Sequence, residues 1–79
     1  MSIPEAFGKI LRRYRKAKGW SQEQLALESG HQRVFISWLE TGAKQASIST
    51  IFNLAKVLDV EPSELIRSVQ AELAEEQNQ

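Results

Sequence analysis

The chain has 79 residues, a formal net charge of zero and no cysteine. That length predicts one domain with a modest core. The lack of cysteine excludes a disulfide framework, a thiol nucleophile and a cysteine metal site, and it suits a reducing cytoplasm. No apolar stretch approaches the roughly 20 residues of a membrane span, and MSIPEAFGKI lacks a basic region followed by a long apolar run, so neither membrane insertion nor a signal peptide is expected.

The neutral total conceals an asymmetry. Residues 1–44 carry eight basic and four acidic side chains, a net +4, and residues 45–79 carry two basic and six acidic ones, a net −4. Such a split suggests a polyanionic partner for one half. An ordinary solvated surface would produce the same counts.

The elements read as helices throughout, with no sustained period-2 alternation and with Gly and Pro, Gly8 excepted, at breaks. A first helix is predicted over about residues 4–18, with Ala6, Phe7, Ile10, Leu11 and Tyr14 at helical spacing. Pro4 suits its first turn and Gly19 its stop. Ser21 caps a second helix, and Gln24 three residues on makes a Ser-x-x-Gln capping box. Leu25 and Ala26 face inward, and Gly30 ends that helix. The third covers about residues 32–41 and stops at Gly42. After the loop GAKQAS, Ser47 caps a fourth helix over about residues 48–58, with Ile48, Ile51, Phe52, Leu54, Ala55 and Leu58 as its apolar face. Val60 staples the next turn, and Glu61-Pro62 opens a fifth helix with Leu65, Ile66, Val69 and Leu73 along one stripe. The tail AEEQNQ is expected to fray.

Ala26, Gly30 and Ile36 fit a tight turn between two packed helices: a small residue where they touch, a residue tolerating positive φ at the turn, and a branched apolar residue entering the core. That is the helix-turn-helix pattern, whose second helix lies in a DNA major groove. On the helical wheel of the third helix Ile36 and Leu39, with Phe35 beside them, point inward. Arg33, Ser37 and Trp38, with Gln32 and Val34 near the N-terminal end, are left outside. A core-only reading would leave Arg33 and Trp38 as incidental surface.

Three blocks occur in order: ILRRYRKAKGWSQEQLALESG, FISWLETG and SISTIFNLAKVLDVEPSELI. They resemble the Cro/cI-type (XRE-like) helix-turn-helix family of phage repressors and small bacterial regulators over about residues 6–66. The block GHQRVFISWLETG is also similar to the small controller proteins of restriction–modification systems, where an Arg at the position of Arg33 followed two residues later by an aromatic is usual. The chain departs from the pattern at His31, commonly aliphatic, at Ala46, often proline, at Asp59, often glycine, and at Trp38, usually polar or small.

The resemblance implies an all-α, compact five-helix, lambda-repressor-like domain over residues 1–66, with residues 67–79 as a C-terminal helix extension and acidic tail. It implies a sequence-specific, double-stranded-DNA-binding transcriptional regulator in the cytoplasm, acting as a homodimer on a (pseudo)palindromic operator. The apolar, net-acidic fourth and fifth helices would form the dimer contact. Arg33 is the leading base-reader, through two bonds to guanine, with a phosphate contact as its alternative role. Gln32 and Ser37 can donate to phosphates or bases, and Val34 can touch a thymine methyl. Gln22 resembles the family's phosphate-clamping glutamine, beside the amides of a helix start, and Thr41 and Lys44 stand where the family grips the backbone. Trp38 would lie on a sugar edge or thymine methyl, or fold back over the core. Arg15 and Glu40 look like the family's ion pair between the first and third helices. His31 is a lone histidine, so no metal is expected. No cofactor, small-molecule ligand or enzymatic activity is expected either. The rival reading is a helix-turn-helix protein-interaction module, antitoxin-like or an adaptor, with weak or no DNA specificity.

Overall fold

Three helices begin at a serine whose hydroxyl accepts a hydrogen bond from the backbone three residues on. The computed structural model describes residues 1–77, as α1 (Ile3–Ala17), α2 (Gln22–Ser29), α3 (Arg33–Thr41), α4 (Ile48–Val57) and α5 (Pro62–Gln77). The Ser2 hydroxyl accepts from Glu5 N at 3.2 Å while the Glu5 carboxylate accepts from Ser2 N at 2.9 Å, a complete capping box. The Ser2 backbone amide foremost, and then the Ser2 hydroxyl, hold the Glu5 carboxyl below the ordinary carboxylate range. Ser21 accepts from Gln24 N at 3.1 Å, but the Gln24 amide turns outward to Glu28 at 3.0 Å. The capping box expected there is therefore only half made. Ser47 accepts from Thr50 N at 3.1 Å.

Between α2 and α3 the chain reverses at Gly30, with φ 76°, and the His31 amide reaches back to the Ala26 carbonyl at 3.0 Å. A side chain there would be strained, which is why the turn takes glycine. Asp59 adopts φ 61° in the turn before α5, at the place where the family often has glycine. Its carboxylate accepts from Lys18 Nζ at 2.8 Å.

α1 packs on α3 and on α5, α2 on α3 and α4, and α4 on α5. Their shared core contains Phe7, Ile10, Leu11, Leu25, Ile36, Leu39, Leu54 and Leu65, all essentially inaccessible. Each such side chain stabilises by roughly 1.5–3 kcal/mol relative to exposure.

The structure corrects two further expectations. In α4 the core takes Ile51, Leu54, Ala55 and Leu58, whereas Ile48 and Phe52 are 68% and 59% exposed. α4 meets neighbours over an arc narrower than its apolar stripe, so one edge of the stripe is left uncovered. Part of the tail expected to fray is helical. Ala74–Gln77 continue α5, where Glu72 accepts from Arg13 at 3.3 Å and Glu76 from the Met1 amino group at 2.5 Å. The rest of that expectation, Asn78 and Gln79, lies outside the described residues.

Candidate nucleic-acid interface

α3 has two unlike sides. Ile36 and Leu39 are fully buried against α1 and α2, and Ala26 of α2 is 4% exposed. Phe35 is half-buried against the core, and its ring lies 4.8 Å from that of His31. The His31 Nε2 pairs with Asn53 Oδ1 at 3.0 Å, which fastens the turn to α4. On the outer side Gln32, Arg33, Val34 and Trp38 are exposed and Ser37 is half-buried. Gln32 is the N-cap residue, in extended conformation and with no side-chain cap bond.

Beneath this surface runs a chain of polar contacts. Arg15 of α1 donates from Nε and Nη2 to the two Glu40 oxygens of α3, at 2.6 and 3.0 Å. Its Nη1 donates to the Trp20 carbonyl at 2.7 Å. The two side chains are 9% and 4% exposed, and the Glu40 hydrogen bonds, chiefly, hold the guanidinium above its already high ordinary pKa. Gln22 at the start of α2 donates from Nε2 to Glu40 at 3.1 Å, and its Oε1 accepts from Arg33 Nη1 at 3.2 Å. The exposed guanidinium of Arg33 is thus linked through one glutamine to a buried carboxylate. Its one hydrogen bond among the described residues leaves the other donors of the exposed planar fork unengaged there.

Gly42 closes α3 in left-handed conformation. The Thr41 hydroxyl and the Lys44 amide both donate to the Trp38 carbonyl, each at 3.3 Å. The Lys44 ammonium lies over the Trp38 ring, 4.4 Å from its centroid. Trp38 is 40% exposed.

Among the contacts that sequence reasoning missed are those of Gln22 with Arg33, His31 with Asn53, and Lys44 with Trp38. Each joins residues from different elements or across a helix end, and no spacing rule announces it. Elsewhere, Ile48, Phe52, Pro62 and Ile66 line a shallow apolar groove between α4 and α5. Among the described residues no cluster of His, Cys, Asp or Glu could hold a metal ion, and no helix is long and apolar enough to cross a membrane.

Comparison with known proteins agrees with this geometry. The helix-turn-helix family profile matches residues 11–65. The transcriptional regulator SlrR of Bacillus subtilis (strain 168) is 41% identical over 59 residues, which span 73% of this chain and 39% of SlrR. Control protein C.BamHI of Bacillus amyloliquefaciens is 38% identical over 61 residues, 76% of this chain and 75% of that protein. The crystal structure of the restriction-modification controller protein C.AhdI from Aeromonas hydrophila superposes with a TM-score of 0.76 at 45% identity, covering 78% of this chain and 94% of that one. With a tight glycine turn between α2 and α3, a two-faced α3 and a family match across most of its length, the chain belongs to the helix-turn-helix family of DNA-binding transcriptional regulators.

Proposed function

We propose that this chain regulates transcription as a homodimer on a (pseudo)palindromic duplex, in the manner of a small restriction–modification controller, with α3 in the major groove. The observation that carries the reading is Arg33: exposed at the N-terminal end of α3 and steadied by Gln22. From there a guanidinium reaches guanine acceptors. Gln32, Val34 and Ser37 supplement base contact, while Gln22, Thr41 and Lys44 hold the sugar-phosphate backbone. The exposed Ile48, Phe52 and Ile66 on α4 and α5 support a dimer contact on a different pair of helices. Residues 1–66 serve as the DNA-binding domain and 67–79 extend it. The protein works in the cytoplasm and catalyses no reaction.

The test starts with duplexes selected from a random pool, followed by titrations of single-base variants at several salt concentrations. Arg33→Ala should cost roughly 1–3 kcal/mol at the best site and relax preference at one base pair in each half-site. Lys44→Ala should weaken all duplexes alike and lower the salt slope by about one. The half-sites should recur about one helical turn apart, near 34 Å, and sedimentation at micromolar concentration should show a dimer. An even loss across all variants for Arg33→Ala would make it a phosphate clamp. Binding to protein partners without salt-sensitive DNA binding would replace the reading with that of an interaction module.

A further inference from the structure

Trp38 and Lys44 form a unit that neither the core nor base readout explains. Two Lys–Trp pairs occur among the described residues, and they differ in one respect. Lys18 lies 4.9 Å from the centroid of the Trp20 ring, and its ammonium is also bound by Asp59 at 2.8 Å, so its charge is neutralised within the fold. Lys44 lies 4.4 Å from the Trp38 centroid, and among the described residues it has no carboxylate partner. Its backbone is fixed to the same residue, since the Lys44 amide donates to the Trp38 carbonyl at 3.3 Å. A lysine ammonium has three donors on a flexible stem. The indole face attracts the charge without accepting the N–H groups that point away from the ring.

We infer that Trp38 is a positioning residue for Lys44, with the indole holding the ammonium beyond the C-terminal end of α3 so that it meets a DNA phosphate already oriented. The inference rests on the DNA-binding reading above. Holding the stem before contact removes ordering cost from the binding step. The contact is to the backbone, so it strengthens binding without adding sequence preference.

Two measurements test it. In the free protein, proton NMR should show the Lys44 Hε resonances shifted upfield by the indole ring current, and Trp38→Ala should abolish the shift. Binding isotherms across a salt series are then compared for the best duplex selected from a random pool and for an unrelated duplex. Trp38→Ala should weaken both alike, by roughly twofold to fivefold per bound protomer. Trp38→Phe should recover part of the loss, and thermal melts of that variant guard against simple misfolding. In a Lys44→Ala background Trp38→Ala should cost nothing further. Unchanged or tighter binding by Trp38→Ala overturns the proposal, the latter because the indole would then hold Lys44 away from DNA. A loss that persists without Lys44 and varies with base sequence also overturns it, because the indole would itself touch bases. A wild-type chain that shows the ring-current shift but binds neither duplex defeats the DNA-binding reading and, with it, this role for the stack.

Discussion

α1 is joined to its two principal neighbours by seams of opposite character. Against α3 the polar contact is one buried, forked ion pair, Arg15 with Glu40, with side chains 9% and 4% exposed. Against α5 it is a row of separate contacts: Tyr14 with Glu64 at 2.7 Å, Arg13 with Glu72 at 3.3 Å, and the Met1 amino group with Glu76. The Arg13 side chain is 62% exposed. A buried pair fixes geometry because any movement leaves a charge without water or partner. Exposed pairs tolerate movement because water replaces whatever is lost. The helix proposed to read DNA hangs on the first seam, and α5 on the second. The first seam also feeds the surface, since Glu40 orients Gln22 and Gln22 meets Arg33.

The largest effects should therefore fall on the α1–α3 seam. Glu40→Ala strands the Arg15 guanidinium beside the Trp20 carbonyl and should cost about 3–5 kcal/mol, enough to unfold a marginal domain at moderate temperature. Replacing both members with apolar residues, Arg15→Met with Glu40→Leu, should be milder than the single Glu40→Ala change. It still leaves the Trp20 carbonyl and one Gln22 donor without their partners, so recovery should be incomplete in melting and poorer still in DNA affinity. Thermal melts of the singles and the double decide this. Additive losses would mean that the two side chains act independently and that the seam is not a unit.

Next comes Gly8. A Cβ built there would lie 2.5 Å from the carbonyl oxygens of both Leu39 and Glu40. Those are backbone atoms and cannot swing aside, so Gly8→Ala must push α1 away from the end of α3. The cost should reach the upper part of roughly 1–3 kcal/mol, against the gain in helix propensity that glycine-to-alanine brings elsewhere. A melt unchanged or raised by Gly8→Ala would show that the seam is looser than its distances indicate.

Gly8 also marks where the sequence stops being legible. Its value lies in a neighbour more than thirty residues away, and inside a helical pattern a glycine signals only a weaker helix. Gly19, Gly30 and Gly42 were readable because they end periodic segments, and Ser21 and Ser47 because they precede them. The five helices followed from those marks within a residue or two, except at the C-terminal end of α5. The outer side of α3 followed from the wheel, since Ile36 and Leu39 have to be buried and the rest falls outside. The wheel failed on α4, where Ile48 and Phe52 belong to the apolar stripe but not to the core. It cannot tell a surface covered by the fold from one left for something else. Gln22 was singled out by its resemblance to the family's phosphate-clamping glutamine. Its bonds to Glu40 and Arg33 depend on three helices meeting, and local pattern does not encode that.

The smallest effects should come from the α1–α5 seam, and two variants within it sharpen the contrast. The Tyr14 hydroxyl is part-buried, donates to the Glu64 carboxylate at 2.7 Å and lies 3.3 Å from the Ser68 hydroxyl. Tyr14→Phe keeps the ring on the core and removes only those bonds, so it should cost roughly 1 kcal/mol, a fall of about 4–8 °C in melting temperature for a domain of this size. Most of that loss should survive high salt, because the contact is partly shielded from the solvent ions. Arg13→Ala removes an exposed pair with a long bond and should cost only a few tenths of a kcal/mol, and nothing measurable at high salt. Melting both variants at low and at high salt separates the cases. If Arg13→Ala matched Glu40→Ala, burial would not be what distinguishes the seams, and the rigidity assigned to the α1–α3 contact would need another cause. If instead Tyr14→Phe falls between the other two and keeps its loss in salt, the ranking follows water access along α1. The helix is then anchored firmly where α3 must be held at a fixed angle and loosely where α5 needs only to be covered.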